Sequence, residues 1–153
     1  LKAAIMSELK SRLTDDLKAA MRERQMDRIG VIRGVQAAIK QIEVDERITL
    51  DDAQVLAVLE KQLKQRRESI TAYTAANRPD LAEKEQFEID VITTFLPAAL
   101  TDAELDDLIN AEIAAQGASS IRDMGKVMNA LRPKIMGRAD AALVSAKIKA
   151  KLA

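Results

Sequence analysis

The densest group of residues able to do chemistry lies near the C-terminus, where Arg122, Lys126, Arg132, Lys134 and Arg138 follow one another at helix and turn spacings. At 100° per residue, Arg122, Lys126 and Asn129 fall within about 60° of one another, opposite an apolar stripe of Met124, Val127 and Leu131. Arg132 follows at the helix end, with Lys134 and Arg138 in the turn beyond it. Cations spaced along a rigid helical surface can follow a nucleic-acid backbone, because each neutralises a phosphate and releases counterions. No aromatic side chain stands among them to stack on bases, so recognition of a folded RNA by shape fits better than reading of a single strand. A merely soluble polar face is the competing reading, and charge alone does not decide between them.

The charge pattern sharpens the question. The chain of 153 residues has no net charge, yet from Ala118 onward eight bases face only Asp123 and Asp140, a net of +6. Between Thr101 and Gly117 there are five acids and no base. A second cationic group, Lys61, Lys64 and Arg67, lies off the apolar stripe of an earlier helix and reads as a solvated face.

Other chemistries find little support. There is no Cys and no His, which removes disulfides, thiolate zinc sites, cysteine nucleophiles and the commonest general base and metal ligand. The acid pairs Asp15-Asp16, Asp51-Asp52 and Asp106-Asp107 are consecutive, so each diverges by 100° on a helix. Helix-start acids are explained by the macrodipole. No metal site, cofactor or catalytic residue is therefore expected. The pair Ser119-Ser120 is similar to the serines of amidases that use a Ser-Ser-Lys arrangement, but the flanking glycines are missing and a helix cap accounts for it. Gly125-Lys126 lacks the strand and upstream glycines of a phosphate loop.

The elements that must position these residues are helical throughout. Ala, Leu, Ile, Lys and Glu dominate, and aromatic residues are scarce, a composition that favours helices over a sheet core. Seven helices are expected. Ser7 caps the first, carrying Leu9, Leu13, Leu17 and Met21 at four-residue spacing. Asp27 caps the second, with Ile29, Ile32, Val35, Ile39 and Ile42 inward. Thr49 to Asp52 resembles a capping box and opens a long third helix striped by Leu56, Leu59, Leu63, Ile70 and Tyr73. Asn77 to Asp80 is a turn, and Pro79 starts a fourth helix with Leu81, Val91, Ile92 and Phe95. Leu96-Pro97 ends it.

The domain boundary is placed there, giving an N-terminal helical body of hairpins over 6–96 and a small three-helix module over 97–153. In the module, Thr101 and Glu104 form a capping box and Gly117 stops the fifth helix. Ser119 or Ser120 caps the sixth, with Ile121, Met124, Val127, Met128 and Leu131 inward. Pro133 and Gly137 frame a turn, and Asp140 caps a seventh helix that buries Val144, Ile148 and Leu152. No stretch approaches the roughly 20 apolar residues of a membrane span. With no such span and no signal-like opening, a cytoplasmic compartment is expected.

Arg66 and Glu88 fall inside the apolar stripes of helices three and four. An antiparallel hairpin turning near Asn77 places them opposite each other, which predicts a half-buried ion pair fixing the register.

The run Asp123-Met124-Gly125-Lys126-Val127-Met128, then Pro133-Lys134, Gly137-Arg138-Ala139-Asp140 and Leu143-Val144 resembles the YqeY-like family. It also resembles the C-terminal tail of the B subunit of aspartyl/glutamyl-tRNA amidotransferase. Lys64 to Arg67, Ser69-Ile70, Leu96-Pro97 and Gly117 to Ser120 carry the YqeY-like match across Met6 to Ala153, whereas the amidotransferase match begins near Leu96. That enzyme makes Asn- or Gln-tRNA with glutamine as amide donor, and its tail helps hold the tRNA. The resemblance implies an accessory, tRNA-binding protein near aminoacyl-tRNA formation. Lys126, Lys134 and Arg138 would face the tRNA, while Gly125 and Gly137 permit close packing and the turn. Carbon-nitrogen ligase activity would arise only in a complex, and the rival function is a protein-protein adaptor without RNA.

Overall fold

A computed structural model describes residues 7–153, so the body's expected start at Met6 lies outside the described residues. Among them the chain is all-α. The helices are α1 (Glu8–Arg22), α2 (Met26–Glu46), α3 (Asp52–Ala75), α4 (Pro79–Thr93), α5 (Asp102–Gln116), α6 (Met124–Ile135) and α7 (Ala141–Leu152). A 3-10 turn, Ile121–Asp123, precedes α6. The chain divides into two compact units, one ending at Leu96 and the other comprising Pro97–Ala153.

In the first unit, α1 to α4 enclose a core in which Leu13, Ile32, Val35, Leu59, Ile92 and Phe95 are almost completely covered. Burial of each such side chain contributes about 1.5–3 kcal/mol. The apolar stripe of α1 drifts because four residues advance 400° rather than 360°. By Met21 it has turned out of the core, and Met21 is 48% exposed, with Ala20 taking the inward position.

Two expected caps move. The second helix begins at Met26 after Gln25, and Asp27 sits in the first turn without capping by its side chain. At α3 the box is formed by Asp51 and Gln54, each accepting the other's backbone N–H at 2.9 Å, rather than by Thr49 and Asp52. Asp52 is committed elsewhere. Its carboxylate accepts from the hydroxyl of buried Ser7 and from the N–H of Leu9 at 3.2 Å, so the acid just inside α3 also ties down the start of α1.

Ser7 caps α1 through the N–H of Lys10. Asn77, at φ 55°, makes the α3–α4 turn in the left-handed region that Asn tolerates, and Pro79 occupies the first position of α4. That helix ends at Thr93, a few residues ahead of Pro97. Arg12 caps the end, its Nη2 donating to the Thr94 carbonyl at 2.8 Å, with its guanidinium 5.7 Å from the Phe95 ring centre. In the hairpin, Arg66 Nη2 lies 3.4 Å from Glu88 Oε1, both half-buried, and Arg66 Nη1 donates to Gln62.

The second unit packs α5, α6 and α7 around Ile109, Val127, Leu131, Val144 and Ile148, each 0% exposed. Thr101 and Glu104 form the expected box, and Gly117 closes α5 at φ 60°. Two readings are corrected. Ile121 is 47% exposed, because the 3-10 turn falls out of phase with the α6 stripe. Pro133 lies inside α6, which continues to Ile135; a proline there removes one helical bond without ending the helix. Gly137 makes the turn at φ 73°, and Asp140 accepts the N–H of Ala142 at 3.0 Å to start α7.

Candidate functional site

The start of α6 is set by Asp123. Its carboxylate accepts the N–H groups of Ser119 at 3.0 Å and Ser120 at 3.4 Å, and those two bonds hold it below the usual carboxylate range. Gln116 at the end of α5 bridges Glu112 and the Lys126 carbonyl at 2.8 and 3.1 Å, docking α5 on the first turn of α6. With Val127, Leu131 and Ile135 buried below, the opposite face of α6 must point to solvent.

That face carries Gly125, Lys126, Asn129 and Arg132, with Arg122 in the 3-10 turn ahead of it, all exposed. No ion pair engages Arg122, Lys126 or Arg132 among the described residues. Lys126 and Arg132 lie about 9 Å apart along α6 at 1.5 Å per residue, and the Asp123 carboxylate is near enough to Lys126 to interact with it electrostatically.

The other two expected cations are committed to the unit's own fold. Lys134 lies 3.4 Å from Glu112 of α5. Arg138 Nε donates to the Ala98 carbonyl at 3.0 Å, while the Arg138 carbonyl accepts from Leu100 N–H at 2.9 Å, so Arg138 clamps the segment that leads into α5. Gly125 does not serve close packing: a Cβ added there meets nothing within 4 Å. Lys61, Lys64 and Arg67 are exposed on α3.

The acidic run of α5 changes the electrostatic account. Lys147 of α7 lies 3.2 Å from Asp106 and 3.9 Å from Asp102, and Lys151 lies 3.9 Å from Asp106. Folding returns the acids of α5 to the bases of α6 and α7, and the unit as a whole has eight bases and seven acids, a net of +1. Reading outward from Ala118 as a basic tail missed this. The signal was present in the matched spacing of four: Asp102 and Asp106 on one helix, Lys147 and Lys151 on another.

No cluster of three or more acids occurs among the described residues that could hold a metal ion. No described helix is long and apolar enough to cross a membrane.

The family description "Yqey-like protein" matches the chain over residues 10–152. The chain belongs to the YqeY-like family. It is also similar to proteins named altered inheritance of mitochondria protein 41, mitochondrial. The one from Pyrenophora tritici-repentis is 33% identical over 140 residues, covering 90% of this chain and 77% of that protein. Its counterpart from Eremothecium gossypii is 33% identical over 128 residues, covering 82% and 67%. That from Lachancea thermotolerans is 29% identical over 143 residues, covering 89% and 76%. These YqeY-like relatives are mitochondrial by name and overturn the expectation of a cytoplasmic compartment. The physical reason for the error is simple: the lack of a membrane-length apolar stretch does not separate one aqueous compartment from another.

Proposed function

We propose that this YqeY-like chain is an accessory that binds folded RNA of the tRNA type through the outer face of α6. In this reading it contributes to glutamine-dependent amide formation on the tRNA only inside a complex, where partner subunits carry the chemistry. The observation that supports it is the set of Arg122, Lys126 and Arg132, exposed and outside any ion pair among the described residues, in a unit whose Lys134, Lys147 and Lys151 are paired. The resemblance to the amidotransferase tail suggests the RNA class, and in this reading the contacts are made by the cations that no ion pair engages. Arg122 and Arg132 join Lys126, while Lys134 and Arg138 hold the unit together.

Binding of a labelled tRNA pool at several salt concentrations tests the proposal. Three neutralised phosphates give a log-log slope of about −2 to −3, so affinity falls about 16- to 64-fold between 50 and 200 mM salt. Arg122→Ala/Lys126→Ala/Arg132→Ala abolishes the slope with the fold intact. Salt-insensitive binding, or a triple variant that binds as well as the parent, refutes the proposal.

A protein-docking function is the second reading, favoured by the outer face of α7. Leu143 is 47% exposed there beside exposed Ala142, Ala146 and Ala150, and the unit is close to neutral. It predicts that Leu143→Lys disrupts assembly with a partner while the triple cation variant does not.

A further inference from the structure

The outer face of α6 has two features that its charge does not require, and both bear on which nucleic acid it accepts. Pro133 lies on that face, exposed, inside a helix that runs on to Ile135. Having no N–H, it cannot donate to the carbonyl of Asn129, four residues earlier. A carbonyl acceptor thus stands without its regular helical donor at an exposed residue between Lys126 and Arg132. Gly125, one turn before Asn129, is exposed, has no positive φ and has open space where a Cβ would be. Neither packing nor backbone conformation calls for glycine there, and its absent side chain lets a ligand come closer to the helix axis than at any neighbouring position.

Phosphates are acceptors only, and cannot use a carbonyl. A ribose 2′-hydroxyl is a donor as well as an acceptor, and lies one sugar away from the phosphates that the cations hold. We infer that the Asn129 carbonyl, released by Pro133, accepts a hydrogen bond from a ribose 2′-hydroxyl, making the α6 face selective for RNA over nucleic acids that lack that group. This rests on the RNA-binding reading of the same face and adds the group that distinguishes its ligand.

The test uses the full chain and two labelled stem-loops of one sequence, RNA and 2′-fluoro-RNA, which keep the same A-form shape and differ in the 2′ donor. The parent protein binds the RNA about 3- to 10-fold more tightly, the range expected of one hydrogen bond. In Pro133→Ala the restored N–H pairs with the Asn129 carbonyl. The variant keeps its helical content and melts no lower than the parent. It binds 2′-fluoro-RNA as before, and its preference for RNA disappears. Asn129→Ala removes the side-chain amide but not the carbonyl, and keeps the preference. Gly125→Ala weakens both ligands alike.

A parent protein without preference, a Pro133→Ala variant that retains it, or an Asn129→Ala variant that loses it overturns the inference while leaving salt-dependent RNA binding in place. Loss of all salt-dependent binding, or normal binding by the triple cation variant, overturns the inference together with the reading beneath it.

Discussion

Glu43 is the residue whose removal should cost the first unit most outside its apolar core. It sits in the last turns of α2, with its side chain 15% exposed, and accepts from two directions. Lys10 of α1 donates its ammonium to Oε2, and the N–H of Leu50, in the loop before α3, donates to the same oxygen at 2.9 Å. One carboxylate therefore joins α1, α2 and the approach to α3. Arg47, at φ 55° in the left-handed region, turns the chain so that Leu50 can reach it.

The two bonds differ in what their loss leaves behind. Lys10→Met removes a charge-assisted bond at a half-exposed site, leaves Glu43 bonded to Leu50, and costs about 1 kcal/mol. Glu43→Gln loses the charge but keeps an oxygen for Leu50, at a similar cost. Glu43→Ala also orphans the N–H of Leu50, a residue only 2% exposed, and an unsatisfied buried donor adds about 1–3 kcal/mol. The expected order is Glu43→Ala well below Glu43→Gln and Lys10→Met, with Glu43→Ala losing about 2–4 kcal/mol in all.

Urea unfolding of the full chain, followed by helical circular dichroism with constant m-value, measures these differences. The pH dependence supplies a second check. The hydrogen bond from Lys10, and then that from the Leu50 N–H, hold the Glu43 carboxyl below its ordinary value of 4.5. A depressed folded pKa gives stability that is fully present above 4.5 and lost as pH falls through the lower folded value. Glu43→Gln must therefore flatten the acid limb relative to the parent. If Glu43→Ala and Glu43→Gln are equally stable, the Leu50 bond contributes nothing and the reasoning fails.

The shifted caps make further predictions by the same unfolding assay. Asp51→Ala costs about 1 kcal/mol, whereas Asp27→Ala changes stability by less than about 0.5 kcal/mol, because only Asp51 bonds the backbone ahead of it; equal losses would return the cap to Asp27. Arg66→Met costs about 1–3 kcal/mol, since Glu88 is left half-buried and unpaired, while Arg66→Met/Glu88→Leu recovers most of it; a double variant as unstable as the single refutes the pairing. Gly117→Ala, at φ 60°, destabilises the second unit by about 1 kcal/mol, whereas Gly125→Ala, with open space and no positive φ, stabilises it by a similar amount. A melt in which both move the same way would contradict this.

Helix existence was legible because apolar periodicity and turn chemistry agree at Asn77-Pro79, Thr101-Glu104 and Gly117. Cap positions were less so, for a reason visible at α3. Asp51 and Asp52 are both good N-cap residues, and only the tertiary demand of Ser7 and Leu9 for a carboxylate decides which of them caps. Pro133 misled because its local effect, one lost bond, is outweighed by the buried Leu131 and Ile135 on either side, which hold α6 together across it. Met21 failed for geometric reasons alone, since a four-residue repeat cannot stay on one face over four turns.

The candidate site shows the harder limit. Linear charge made 118–153 a basic tail, but a charge acts through space, and a helix elsewhere in the unit can cancel it. Here α5 does so for Lys134, Lys147 and Lys151, leaving a net of +1 and Arg122, Lys126 and Arg132 outside any ion pair among the described residues. An electrostatic site in this unit is therefore small. It cannot draw a polyanion from far away, as a field of +6 would, because opposite charges a few ångströms apart look neutral beyond a Debye length of about 8 Å. On the proposed reading, recognition comes from close fit on α6, with specificity from groups near its axis rather than from field strength. That is why substitutions that leave charge untouched, at Pro133 and Gly125, are the ones that probe it most sharply.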